Sequence, residues 1–369
     1  MRLLITTDTV GGVWTYTREL SQGLLSRGHQ VLLVSMGRAP SHDQRAWTSR
    51  TLAGWPGCFQ YVSTDHPLEW MQSNAACYCD AEAVLLEQID RFLPDALHLN
   101  QFCYGALPTS VPKIVIAHSD VMSWSECCRG AYPEASPWLH KYLGVVRAGL
   151  AQANAVVAPT QWMLDALCRN YIVPPNRVVI PNGRLLPPRP PIKRNLQAIT
   201  IGRVWDEGKN VRMLEDVISP MPLLVAGELA LEAEPPFTSS HLELLGPLTE
   251  DDTLTLFAES SVYIITSRYE PFGLAPLEAA LSGCAIVAHD IPSLREVWDN
   301  SALYFRNAEE LSAHLQAMHA DPRSLTQTAR RACTRARSLY SQDTMIENYL
   351  NLYTSVCTRV EEAEAQHVS

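Results

Sequence analysis

The first thirty-four residues constrain the fold more tightly than any other part of the chain. Arg2–Thr7 is an apolar strand pattern, Gly11-Gly12 a turn, and Val13, Thr17, Leu20 and Leu24 recur at helical spacing until Arg27-Gly28-His29 ends the helix. Val31-Leu32-Leu33-Val34 is then a second, fully apolar strand. Strand, glycine turn, helix and buried strand make a βαβ unit, which implies a parallel sheet. Such sheets place their ligands at the carboxyl ends of the strands. Short apolar runs at Ala96–Leu99, Ile114–Ala117 and Ala155–Ala158 continue the pattern, with helical segments around Glu82–Leu93 and Lys141–Ala153. Asp120–Pro137 is rich in Trp, Cys, Pro and Gly, shows no period, and reads as a long loop over the ligand face.

The same grammar restarts after Leu186-Pro187-Pro188-Arg189-Pro190-Pro191, a run too proline-dense for a helix or a central strand. Strands are expected at Ala198–Gly202, Leu223–Gly227, His241–Gly246, Val262–Thr266 and Ala285–Ala288, with a helix at Val211–Ile218. Thr249 with Asp252 three residues on resembles a capping box with Asp in place of Glu. From about Ser341 the chain is helical, with Met345, Tyr349, Leu352 and Tyr353 on one face, and the polar tail after Cys357 is expected to fray. A chain of 369 residues, 47% of them apolar, suffices for two α/β domains. The expected boundaries are 1–186 and 192–340.

Composition narrows the partners. The formal charge of -10, from 29 Lys+Arg against 39 Asp+Glu, argues against nucleic acid. The basic run Arg330, Arg331, Arg335 and Arg337 has helical spacing and reads as a solvated face. Ten cysteines, with clusters only at Cys77/Cys79 and Cys127/Cys128, lack paired Cys-x-x-Cys motifs and suit a reduced, cytoplasmic protein without structural zinc. No apolar stretch reaches the roughly 18 residues of a membrane helix, which leaves room for peripheral membrane contact alone.

The chemistry is concentrated after the expected strand Val262–Thr266. Glu270-Pro271-Phe272-Gly273-Leu274-Ala275-Pro276-Leu277-Glu278 places one carboxylate before a helix start and a second inside the helix. A helix N-terminus favours a phosphate, and the two carboxylates can accept hydrogen bonds from vicinal hydroxyls. The plainer alternative is a capping Glu270 and a solvated Glu278. In Gly202-Arg203-Val204-Trp205-Asp206-Glu207-Gly208-Lys209, two cations follow a strand and could neutralise a diphosphate; a surface loop is the alternative. Gly11-Gly12 would allow close approach of an anion, although the full dinucleotide fingerprint is absent. His118 and Asp120 stand just past a buried strand, at the ligand edge. No Asp-x-Asp occurs, so no metal is expected and basic groups take that role.

Ser267–Ala280, with Ser282-Gly283 after it, closely resembles the signature of the family 4 retaining glycosyltransferases. That resemblance implies the GT-B fold: two doubly wound, Rossmann-like α/β domains facing across a cleft, with a last helix (about 341–360) crossing back to the first domain. It implies that Glu270 contacts a donor hexose, that the backbone at Phe272, Gly273 and Leu274 contacts sugar and diphosphate, and that Glu278 holds the nucleotide ribose. Arg203 and Lys209 would bind the diphosphate, although the lysine follows the arginine by six residues where the family pattern has five. Gly12 would approach the donor phosphate or the acceptor, and His118 would lie close to the donor sugar. The expected catalytic set is His118, Glu270, Arg203 and Lys209, with Asp120 and Trp124 on the acceptor side. Pro181-Asn182-Gly183 matches a family turn, but Arg184-Leu185 replaces the Val/Ile-Asp that follows it, and Glu296 matches a late family glutamate.

The implied activity is metal-independent transfer of a hexose, with retention, from a UDP- or GDP-sugar to a glycan, lipid-linked or small-molecule acceptor. No cofactor is expected. An epimerase, a phosphorylase or an idle nucleotide-sugar-binding subunit are the alternatives.

Overall fold

The computed structural model describes residues 1–71, 78–189, 192–230 and 235–368, so Cys77 and the Pro190-Pro191 end of the proline run lie outside the described residues. The chain forms two compact units. The first comprises Met1–Ser123, Tyr132–Gly183 and Gln342–Ser369, and the second Trp124–Ala131 with Arg184–Ser341.

The elements of the first half are β1 (Arg2–Asp8), α1 (Gly12–Leu25), β2 (Gln30–Met36), α2 (His42–Gly54), β3 (Phe59–Ser63), α3 (Tyr78–Phe92), β4 (Ala96–Leu99), β5 (Lys113–Ile116), α4 (Val121–Arg129), α5 (Pro137–Gln152), β6 (Ala155–Ala158), α6 (Gln161–Asn170) and β7 (Arg177–Val179). The seven strands form one parallel sheet in the order β3-β2-β1-β4-β5-β6-β7. Strand order reverses between β1 and β4, which makes a switch point where two successive crossovers leave on opposite faces.

Two expectations change here. Asp120–Pro137 is largely helical, because the Asp120 carboxylate accepts the Ser123 backbone N–H at 2.9 Å and starts α4, whose Met122, Ser123 and Ser125 are buried. Its mixture of Trp, Cys and Ser hid a one-sided helix. From Trp124 onward, α4 belongs to the second unit.

The second unit continues with β8 (Asn195–Ile201), β9 (Leu223–Ala226), β10 (Glu243–Gly246), α7 (Glu250–Glu259), β11 (Ser260–Ile265), α8 (Leu274–Leu281), β12 (Ala285–His289), α9 (Pro292–Trp298), β13 (Leu303–Phe305), α10 (Ala308–Ala320) and α11 (Pro322–Leu339). Its six parallel strands run β10-β9-β8-β11-β12-β13, so the switch point lies between β8 and β11. Successive residues of one strand feed opposite cores. Tyr263 and Ile265 pack with Leu277, Leu294 and Trp298, whereas Val262 and Ile264 pack with Val211, Phe305 and Leu315. Covering both faces explains why the central strands are apolar runs without alternation.

The expected helix at Val211–Ile218 is a short 3-10 helix, Val211–Asp216. Ile218 instead gives its backbone N–H to Ser312 Oγ at 2.9 Å, and Pro220 and Pro222 prevent continuation. Thr249 caps α7 by accepting the Asp252 N–H at 3.2 Å, and its hydroxyl donates to Asp252 Oδ2 at 2.6 Å. On α11, Arg330, Arg331 and Arg337 are exposed, while Arg335 donates to the Val297 and Glu296 carbonyls at 2.6 and 3.0 Å.

The chain then returns to the first unit as α12 (Gln342–Val368). A Cβ on Gly23 of α1 would fall 2.5 Å from Ile346 Cγ1, so the missing side chain sets how closely α1 and α12 pack. Gln342 Nε2 donates to the Glu19 carbonyl at 3.0 Å, and Arg27 pairs with Asp343 at 2.5 Å. The helix continues past Cys357, where fraying was expected, because Val360-Glu361-Glu362-Ala363-Glu364-Ala365 is composed mainly of strong helix formers.

Candidate active site

In the second unit, the loops leaving β8 and β11 meet at the switch point. They are tied together through backbone carbonyls: Thr266 Oγ1 donates to that of Lys209 at 2.6 Å, and Arg268 N–H to that of Gly208 at 2.9 Å. Glycines let the end of β9 and the lysine stem pack onto the end of β8. A Cβ on Gly227, at φ 128°, would lie 2.0 Å from the Gly202 carbonyl oxygen, and the Lys209 stem lies over Gly202, 3.3 Å from where a Cβ would be.

Both cations are held on carboxylates. Lys209 Nζ is 2.5 Å from Glu270 Oε2, and Arg203 Nη2 is 2.7 Å from Asp206 Oδ2, with the Arg203 guanidinium 5.1 Å from the Trp205 ring centre. The family's five-residue spacing is six here, yet Lys209 still reaches Glu270. The turn closed by the Lys209 N–H on the Asp206 carbonyl, 3.0 Å, and left-handed Asn210 at φ 49° accommodate the additional residue.

Gly273 precedes α8 at φ 92°, and a Cβ there would lie 2.6 Å from Pro276 Cγ. No side chain caps α8, so the first-turn N–H groups at Leu274 and Ala275 are available to an anion. Phe272 is buried against Tyr340, ring centres 5.2 Å apart, so its side chain anchors the loop and only its backbone can meet a ligand. Glu278 is buried and accepts from Arg184 Nε at 2.7 Å, while Arg184 Nη2 is 2.6 Å from Glu250 Oε1.

Arg184 is the participant that reading the sequence missed. The signal was present as the departure from the family pattern after Pro181-Asn182-Gly183. An arginine whose side chain is 2% exposed, between two carboxylates, needs both for its own burial to be tolerable.

Trp124 was expected on the acceptor side of the first domain, but it belongs to the second unit. Its indole Nε1 lies 2.9 Å from the position of a Cβ on Gly208, and Arg129 covers its ring at 4.9 Å while forking onto Glu207 at 3.1 and 3.2 Å. Glu296 is exposed on α9, and its carbonyl accepts from Arg335.

In the first unit, the side chains that surround His118 at the carboxyl edge of the sheet are uncharged. Gly11 and Gly12 are exposed at the uncapped start of α1, and a Cβ on Gly11 would meet nothing within 4 Å. The fold therefore does not require glycine at Gly11. His118 is half-buried after β5, with Nε2 2.8 Å from Asn100 Oδ1 and its ring edge-on to Tyr16 at 4.6 Å. Burial pushes its pKa down to about 3. Behind it, fully buried His98 lies between Tyr16 OH at 3.1 Å and Tyr353 OH at 2.7 Å. Asp120 is a helix cap: one oxygen accepts from Ser123 N–H and Tyr171 OH, each at 2.9 Å, and burial raises its pKa against those hydrogen bonds. Its burial and these bonds give it a structural duty at the start of α4.

Comparison with known proteins adds the following. Residues 10–184 match the model described as Glycosyltransferase Family 4, and residues 209–337 the model described as Glycosyl transferases group 1. The chain is 24% identical over 367 residues to the alpha-monoglucosyldiacylglycerol synthase of Streptococcus pneumoniae, a match covering 87% of this chain and 79% of that protein. It is also 24% identical over 170 residues to an uncharacterized 41.2 kDa protein of Klebsiella pneumoniae, spanning 47% of that protein's length. Among solved structures, the sucrose-phosphate synthase of Thermosynechococcus elongatus superposes with a TM-score of 0.77 at 16% identity, over 97% of this chain and all (100%) of the other. Anabaena Alr3699/HepE in complex with UDP-glucose gives a TM-score of 0.70 at 16% identity, over 96% and 100% of the two chains. These likenesses establish the GT-B fold.

Proposed function

Because the chain belongs to the group 1 glycosyltransferases of family 4, we propose that it transfers a hexose from a nucleoside-diphosphate sugar to an acceptor hydroxyl, with retention and without a metal ion. The observation that carries this reading is the cluster at the β8–β11 switch point: Lys209 on Glu270, beside Arg203 and the uncapped start of α8. The diphosphate would take the α8 N–H groups and draw Arg203 and Lys209 toward itself. Glu270 is thereby released to accept from sugar hydroxyls, and Glu278 accepts from the ribose.

In the transfer, the acceptor oxygen bonds to C1 on the face the leaving group departs from, and the C1–O bond to the diphosphate breaks. The acceptor's proton passes to the departing phosphate oxygen. The two cations stabilise the charge that develops there, which is the kind of preorganised electrostatic help that contributes most to such steps. No carboxylate acts as a double-displacement nucleophile in this scheme. The acceptor, whether glycan, lipid-linked or small-molecule, falls to the loops of the first unit, and the thiol-rich composition suits the cytoplasm.

The test is incubation with UDP-glucose, then with other UDP- and GDP-hexoses, with and without candidate acceptors and with and without a chelator, following nucleoside diphosphate release. NMR of the product's anomeric proton reports the stereochemistry. Acceptor-dependent release with the donor's anomeric configuration kept is the expected result. An inverted product or a trapped glycosyl ester on Glu270 or Glu278 overturns the mechanism, and tight donor binding without transfer to any acceptor favours an idle binding subunit.

A further inference from the structure

Helix α11 carries five arginines, Arg323, Arg330, Arg331, Arg335 and Arg337, and no Asp or Glu, in a chain whose formal charge is -10. A solvated helix face gains from opposite charges placed one turn apart, and loses from like ones. Here Arg331 and Arg335 stand one turn apart, and Arg330 adjoins Arg331. Among the described residues neither Arg330 nor Arg331 pairs with a carboxylate; Arg331 Nη2 reaches Thr328 Oγ1 at 3.4 Å. Arg335 is held differently. Its Nε and Nη2 donate to the Val297 and Glu296 carbonyls at 2.6 and 3.0 Å, at the negative end of α9, and its Nη1 is 3.9 Å from Asp299 Oδ2. The opposite face of α11 is buried, where Ala332 and Ala336 pack in one core with Leu277, Ala279 and Ala280 of α8. The arginines are therefore displayed from an anchored helix.

Arg330, Arg331 and Arg335 line one notch of about 430 Å³ between α11 and Ser301, which stands just before β13. The hydroxyls of Ser301, Thr334 and Ser338 line it too, and no carboxylate does. We propose that this notch is an anion site that takes the phosphate group of a small phosphorylated molecule, apart from the cluster at the β8–β11 switch point, with which it shares no residue. Guanidinium groups keep their charge and present forks of N–H donors that match phosphate oxygens. Arg330 and Arg331, which have no other anion to answer, hold the phosphate. Ser338 Oγ already donates to the Arg335 carbonyl at 3.1 Å, so it is left to accept from a hydroxyl on the body of the ligand. The volume suits a molecule of sugar-phosphate size. Nucleic acid would need a longer basic track, and the net charge of the chain repels it. An anionic membrane surface would need an apolar face to insert, and Leu339 is the one large apolar side chain that lines the notch.

The test follows the arginine Nε–Hε NMR signals of the whole chain during titration with inorganic phosphate, pyrophosphate and glucose 1-phosphate. Differences from Arg330→Gln, Arg331→Gln and Arg203→Gln assign the signals, so the notch and the donor cluster are read separately, and a failure of one leaves the other decided. Saturable shifts of Arg330 and Arg331 are expected, with a Kd of about 1 mM or tighter for at least one of the three compounds. In Arg330→Gln/Arg331→Gln that affinity should fall at least about tenfold, because two charged donors are lost. Both side chains are exposed, so the variant is expected to keep its melting temperature. Arg323→Gln/Arg337→Gln removes the same charge from exposed positions of α11 outside the notch and should change affinity less than about twofold. Equal weakening by the two double variants shows a diffuse field and overturns the proposal. So does the absence of a saturable shift at Arg330 and Arg331 up to about 20 mM of each compound. Sedimentation with phosphatidylglycerol vesicles is the other arm. Vesicle binding that needs Arg330 and Arg331, without binding of any of the three free compounds, assigns this face to a membrane and overturns the proposal as well.

Discussion

At the switch point of the second unit the chemistry is ionic. Lys209 pairs with Glu270, Arg203 with Asp206, and Arg184 with Glu278 and Glu250. At the corresponding edge of the first unit the side chains around His118 are uncharged: Asn100 bonds to His118, Thr6 and Thr17, and Tyr16 lies edge-on to the His118 ring, whose pKa is about 3. Two sheets of like topology thus carry different kinds of side-chain cluster at this edge. A diphosphate brings concentrated charge and needs mobile cations with partners to leave; hydroxyls need fixed donors and acceptors in a defined protonation state.

The sharpest way to break this contrast is at Arg184. Arg184→Met should destabilise the protein by about 3–5 kcal/mol, since Glu278 keeps a buried charge without its counter-ion. Denaturant melts would measure it, and Arg184→Met with Glu278→Gln should recover part of the loss. A neutral outcome for the single variant would mean the pair carries no weight. Next come the cations of the loop after β8. Lys209→Ala and Arg203→Ala should each lower kcat/KM for the donor by about 10²–10³-fold, equivalent to roughly 3–4 kcal/mol, with little change in melting temperature. Unchanged donor kinetics in both would remove the ionic half of the comparison.

The neutral half is tested by acid. His118 has a folded pKa below its unfolded value, so between about pH 6.5 and 3 the unfolded chain binds the proton and the native state does not. Stability therefore falls as pH drops through that window, and His118→Asn should make the fall shallower when unfolding midpoints at about pH 5 and pH 7 are compared. An unaltered slope would show that this ring charges in the native state. The smallest effect belongs to Arg129→Ala. Its fork onto Glu207 joins side chains 58% and 51% exposed, so loss of stability under about 1 kcal/mol is expected by thermal melt.

What was readable in the sequence follows the same division. The sheets announced themselves because strands covered on both faces are apolar runs, as at Val262–Ile265 and Ala285–Ala288. The ionic site was readable too: Gly273, Glu270 and Glu278 sit on one loop and helix, so their spacing is local. Asn100 escaped because its partners, Thr6, Thr17 and His118, come from three other parts of the chain, joined only when β1, β4 and β5 pair. Arg184 was visible as an oddity and not as a function, since its partners are 94 and 66 residues away. Trp124–Ala131 was misplaced for a related reason. Sequence order assigns it to the first half, whereas the Arg129–Glu207 fork and the Trp124 position over Gly208 assign it to the second.

That eight-residue piece bears on how this protein can be taken apart and recombined. A fragment beginning at Arg184 would lack Trp124–Ala131, and with it the cover over Gly208 and the counter-ion of Glu207. The first unit, ended at Gly183, would in turn lack α12 and leave the Gly23 face of α1 bare. Neither unit is a contiguous module. A chimera that exchanges the second unit between relatives must carry residues 124–131 along with 184–341, as two grafts that have to match each other.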